Sequence, residues 1–78
     1  MVYCNYDRHE GNTVFYKIGG SSKDITGELA IYLNDKTYEL LKEPENSKVY
    51  DRHIHSMLYW ALPELLAGKF PPKLSYEI

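Results

Sequence analysis

The sequence predicts an α+β fold: a small antiparallel sheet of about four or five strands, with one main C-terminal helix packed on one face. Three observations carry that prediction. Before residue 42 the chain holds short segments rich in β-branched and aromatic residues, separated by Gly, Asn and Asp breakers. After residue 50 the apolar residues switch to three- and four-residue spacing, the period of a helix. A chain of 78 residues is short for more than one domain, so residues 1–78 are expected to share a single core.

The elements follow in order. Met1 to Tyr6 alternates weakly, with Val2, Cys4 and Tyr6 set against Tyr3 and Asn5. Asp7 to Asn12 is polar and contains Gly11, which reads as a hairpin loop returning through Thr13–Ile18. Gly19-Gly20-Ser21-Ser22 then ends that strand. Residues 25–42 fit two structures. As a hairpin, Leu29–Leu33 and Thr37–Leu41 flank a turn at Asn34-Asp35-Lys36; Leu29, Ile31 and Leu33 face the core beside Tyr38 and Leu40. As a helix, Ile25, Leu29, Tyr32 and Leu33 share one side. Gly27 and Asn34-Asp35 disfavour helical continuation, so the hairpin is the expected form.

The helix has a clearer signature. Ser47 is the expected N-cap, and Asp51 supplies a negative charge where the helix dipole favours one. Tyr50, Ile54, Met57, Leu58, Ala61 and Leu65 form one apolar stripe. Pro63 has no N–H to donate to the carbonyl of Tyr59, which predicts either a kink or a second short helix over Pro63–Ala67, stopped by Gly68. Pro71-Pro72 is an extended connector. Lys73–Ile78 alternates as a final strand at a sheet edge, with Leu74, Tyr76 and Ile78 on one face.

Charge and cysteine content narrow the function classes. Eleven acidic against nine basic residues give a net charge of −2, and the lysines are scattered singly, which argues against a nucleic-acid partner. The single Cys4 allows no internal disulfide and no paired-cysteine zinc motif. A core of this size supplies only about 3–5 kcal/mol without help, and homo-oligomerisation is one source of it. The start lacks a basic and apolar leader, and no apolar run approaches the ~18 residues of a membrane span. The expectation is a cytoplasmic protein with no membrane partner.

The most unusual motif is a repeated tetrapeptide, Tyr6-Asp7-Arg8-His9 and Tyr50-Asp51-Arg52-His53. With His55, the two copies hold every histidine and both arginines of the chain. Two histidines at one site can act as general base and general acid, with a cation stabilising the developing charge. His9 with His53 or His55, aided by Arg8, Arg52 and Lys48, would supply a histidine-dependent hydrolase or ribonuclease. The residues after the two copies diverge, and no nucleophile motif or Gly-rich loop reinforces that reading. A metal site would need His9 to join His53 or His55, with Asp7, Glu10 or Asp51 completing it. In a helix His53 and His55 point to different flanks, so they make a poor chelate. No metal and no cofactor is expected.

Eight tyrosines, with Phe15, Phe70 and Trp60, make the chain tyrosine-rich. Tyr, Trp and Arg are favoured at interface hot spots. Tyr3, Phe15, Tyr32 and Tyr76 are the candidate interaction surface; whether they share the sheet face opposite the helix depends on strand register. The leading expectation is a non-enzymatic protein–protein interaction module, an adaptor or inhibitor, binding another protein through that face or an edge strand. A homodimer is one way to realise it. Small size without motifs fits an origin in a phage or mobile element. The histidine-dependent enzyme is the alternative, and base stacking on a single-stranded nucleic acid is a weaker one.

Overall fold

The computed structural model describes all 78 residues. Five strands and one helix follow in the order β1 (Val2–Glu10), β2 (Thr13–Gly19), β3 (Gly27–Tyr32), β4 (Thr37–Lys42), α1 (Asp51–Leu66) and β5 (Lys73–Tyr76). They form one antiparallel sheet in the spatial order β4-β3-β2-β1-β5, which puts β4 and β5 at its edges. Residues 25–42 are a hairpin, as the breakers at Gly27 and Asn34-Asp35 indicated. No helix is long and apolar enough to cross a membrane.

The first hairpin is longer than the sequence pattern suggests. Asp7–Glu10 belongs to β1, and the connection shrinks to Gly11-Asn12 between the paired Glu10 and Thr13. Gly11 has φ +59, the left-handed value that two-residue hairpin turns require. The pairing slips between Tyr6 and Arg8, so Asp7 is an extra, bulged residue. That single insertion re-phases the strand. Tyr6 pairs with Tyr16 and His9 with Val14, whose side chains are buried beneath the helix, while Arg8 pairs with Phe15 on the other face.

One face of the sheet carries the core. Val2, Cys4, Val14, Tyr16, Ile18, Leu29 and Ile31 point to it, and Ile54, Met57, Leu58, Ala61 and Leu65 of α1 pack onto it. Tyr16, fully buried, donates its phenol proton to the carbonyl of Pro71 at 2.8 Å, which pins the connector before β5. Burial pushes the Tyr16 hydroxyl up to about 12 and the Cys4 thiol up to about 12, so both stay protonated. The helix lies off-centre, nearest β5 and β1.

Two helix features differ from expectation. Tyr50, not Ser47, precedes the first turn, and no side chain caps it. Pro63 lies inside a single helix ending at Leu66, and no second helix forms. The proline is exposed and near the end, so water can reach the Tyr59 carbonyl. β5 is also shorter than its pattern, stopping at Tyr76.

Ser47 is recruited elsewhere. Its hydroxyl donates to the Asp24 carboxylate at 2.6 Å and accepts the Gly20 N–H at 3.0 Å. Asp24 also accepts the Asn46 N–H at 2.9 Å and the Thr26 hydroxyl at 2.9 Å. Thr26 in turn accepts the Glu45 N–H at 2.8 Å. This carboxylate therefore ties the β2–β3 loop to the segment entering α1. Gly20 sits so close to that segment that a Cβ would meet the Lys48 carbonyl oxygen at 2.1 Å.

Two expected outcomes follow. Leu65→Ala should lower stability by about 2–5 kcal/mol in urea unfolding, since Leu65 is fully buried and leaves a cavity. For Asp24, the Ser47 hydrogen bond, with the Asn46 and Thr26 bonds, holds the carboxyl below its ordinary range. A depressed folded value means the stabilisation is present above the unfolded value near 3.8 and is lost as pH falls through the folded one. Asp24→Asn should therefore melt below the parent at neutral pH, with the gap closing on acidification below about pH 4. A gap that persists unchanged at acid pH would rule out the charge as its source.

Candidate functional site

The sequence-predicted residues fall into separate places. In the first Tyr-Asp-Arg-His copy, the bulge at Asp7 lets Tyr6 and His9 share a face. The Tyr6 hydroxyl lies 3.1 Å from His9 Nδ1, and both rings contact Phe70. Arg8 pairs with Asp7 and Glu10 at 2.7 Å each and stacks over Phe15 at 4.1 Å. In the second copy, Tyr50 and His53 approach to 5.5 Å at the helix start, and Arg52 and Lys48 flank the Tyr50 ring. His53 is buried, with its Nδ1 3.0 Å from the Met1 amino nitrogen. Burial first, then the nearby amine and Arg52, lowers its pKa below the ordinary histidine value.

The histidines do not converge. His53 touches Met1 at one end of β1, and His9 lies at the other end, ~26 Å away at ~3.3 Å per strand residue. His55 contacts Tyr38 on β4, three strands and ~14 Å across the sheet from β1. General acid–base work on one substrate requires both groups within hydrogen-bond reach. The structure brings together neither His9 with His53 nor His9 with His55. No three His, Cys, Asp or Glu side chains are grouped to hold a metal ion.

The aromatic set is divided as well. Tyr3, Phe15 and Tyr32 lie on the face opposite the helix, but Tyr76 does not. Tyr76 pairs with the buried Val2, which turns its ring toward the helix and His53. Its place in the set is corrected by register: β5 pairs antiparallel to β1, and directly opposed residues share a face. Two of the remaining three engage the chain's own polar groups, and the Tyr3 hydroxyl donates to the Met1 sulfur at 3.2 Å. Arg8 covers Phe15, Tyr32 donates to Glu39 at 2.8 Å, and Lys17 and Glu28 lie 3.6 Å apart.

The prominent concave feature lies on the helix side. Because α1 sits over β1 and β5, the β4 end of the apolar face is left open. A cleft of about 580 Å³ runs there, with Tyr38, Leu40, Leu58 and Leu62 among its apolar lining. Lys36, Asp51, His55 and Tyr59 border it. The Tyr38 hydroxyl donates to Asp51 Oδ1 at 2.9 Å, bridging strand and helix. Partial burial, then the Asp51 hydrogen bond and charge, raise the Tyr38 hydroxyl to about 12. Lys36 holds φ 58, a left-handed conformation that costs a non-glycine residue about 1 kcal/mol or more. Alongside the cleft, β4 offers an unpaired strand edge.

Leu58, Tyr59 and Leu62 were not singled out as site residues from sequence, yet a signal existed. Tyr59, Trp60 and Leu62 interrupt the core stripe, and large rings off that stripe must face solvent or a partner. Tyr59 and Trp60 are 76% and 75% exposed and stack edge-to-face at 5.4 Å.

The Tyr38–Asp51 bridge is testable. Asp51→Asn should bring the Tyr38 hydroxyl down from about 12 toward, but not to, the ordinary 10, because burial remains as the larger cause. An NMR titration of the Tyr38 ring checks this; an unchanged value would mean the bridge is absent.

No family model, curated protein or solved structure matches this chain.

Proposed function

We propose that this protein is a non-enzymatic protein-binding module, an adaptor or inhibitor, whose docking site is the cleft between α1 and β4. The observation that supports this reading is the pairing of an apolar cleft with an unpaired strand edge along its side. An extended segment of another protein can add to such an edge through main-chain hydrogen bonds. Alternate side chains then fall into the neighbouring apolar hollow. Leu40, Leu58 and Leu62 would receive those side chains, and Tyr59 forms the wall away from the sheet. Arg8 stacked on Phe15, the Tyr32–Glu39 hydrogen bond and the Lys17–Glu28 pair make the opposite sheet face polar and the poorer docking surface. The cleft is wide enough for a few side chains, so affinity would rest on a small number of anchors.

Selection of a displayed random-peptide library on the intact protein tests the reading. Enriched peptides should carry apolar residues at alternating positions and lose at least about tenfold in affinity against Leu62→Arg, which places a charge in the cleft. Peptides that ignore Leu62→Arg, or no enrichment at all, would overturn it.

A further inference from the structure

The outward side of α1 carries a second pattern, which adjoins the cleft only at Tyr59. Arg52, Ser56, Trp60 and Glu64 recur every fourth residue and so form one ridge along the helix. Read from the N-terminal end, the ridge is positive, small, large and negative. Reversed against itself, it meets its own complement. An antiparallel copy centred midway between Ser56 and Trp60 sets Arg52 against Glu64, Ser56 against Trp60, and the same two contacts again by symmetry. Self-complementarity about one axis is the requirement for a twofold interface.

We infer that this protein forms a twofold homodimer through the outer ridge of α1. The charges that would meet, Arg52 and Glu64, are not ion-paired inside the chain, where Arg52 makes only a cation–π contact with Tyr50 at 5.6 Å. Trp60 is 75% exposed, an unusual state for the largest apolar side chain. Ser56 donates its proton to the Arg52 carbonyl at 3.0 Å, which leaves its oxygen lone pairs to accept the indole N–H of Trp60 from the second copy.

The area is sufficient for a modest dimer. A specific interface needs about 1,000 Å² in total, or ~500 Å² from each copy. Aromatic side chains bury about 150–250 Å² each when covered, so Trp60 and its stacked neighbour Tyr59 supply ~300 Å² per copy. The ridge from Arg52 to Glu64 is ~18 Å long at ~1.5 Å per residue and contributes the rest.

Sedimentation velocity from micromolar to about millimolar protein tests the dimer. The expected result is a dimer of the 9.1 kDa chain that Trp60→Ser converts to monomer without changing the melting curve. Arg52→Glu and Glu64→Arg should each weaken association about tenfold, because symmetry applies each change twice. The double variant R52E/E64R should restore it, which a merely structural role for either residue would not produce. A monomer throughout, a dimer indifferent to Trp60→Ser, or a double variant no better than the singles would overturn the inference. Leu62→Arg, which disables the cleft, should leave the dimer intact, so the two readings fail independently.

Discussion

Everything distinctive about this molecule follows from a mismatch of widths. Five strands spaced ~4.8 Å apart make a sheet ~19 Å across, whereas one helix with its side chains is only ~10–12 Å wide. A single helix cannot cover the whole apolar face. This chain resolves the mismatch by placing α1 toward β5 and β1, where Val2, Cys4 and Tyr16 are sealed. The β4 side keeps Tyr38 and Leu40 only partly buried, and the cleft is the uncovered remainder. The proposed binding site is thus what the architecture leaves open.

The helix can hold that position because its entry is fixed from below. The segment Glu43–Tyr50 has no regular structure, yet it contributes Val49 to the core and is held by Asp24 through Ser47 and Asn46. A carboxylate that accepts several short bonds anchors a loop more firmly than apolar contact alone, because each bond is directional and charge-assisted. The Tyr38–Asp51 bridge then ties the first turn of α1 to the open edge strand. These two polar links tie the entry and first turn of the helix to the sheet, while the core stripe from Ile54 to Leu65 supplies the burial.

Much of the fold was legible because periodicity reports burial. The hairpin at 25–42, the stripe of α1 and the edge position of β5 all appear in the sequence as alternation or helical spacing. Asp7–Glu10 was not legible as strand. That part of the hairpin is exposed, so nothing demanded apolar residues, and the bulge at Asp7 destroyed the alternation. Ser47 looked like a cap because a hydroxyl before a helix usually is one; its actual partner, Asp24, is distant in sequence. The face of Tyr76 was not legible because strand phase depends on the register with β1, which no local pattern encodes. The repeated Tyr-Asp-Arg-His shows the same limit. Both copies bring a Tyr and a His ring together, one across a bulge and one across a helix start, in places that do not meet.

The β4 edge and the adjoining cleft stand open on the helix side, whereas β1, β2 and β3 are paired on both sides. Amide hydrogen exchange, resolved by residue, measures this directly. Protection is expected along all of β2, which is paired on both sides, with an alternating pattern in β4, where every second amide exchanges quickly. Uniform strong protection throughout β4 would contradict it, because it would require a covering layer that this fold does not supply.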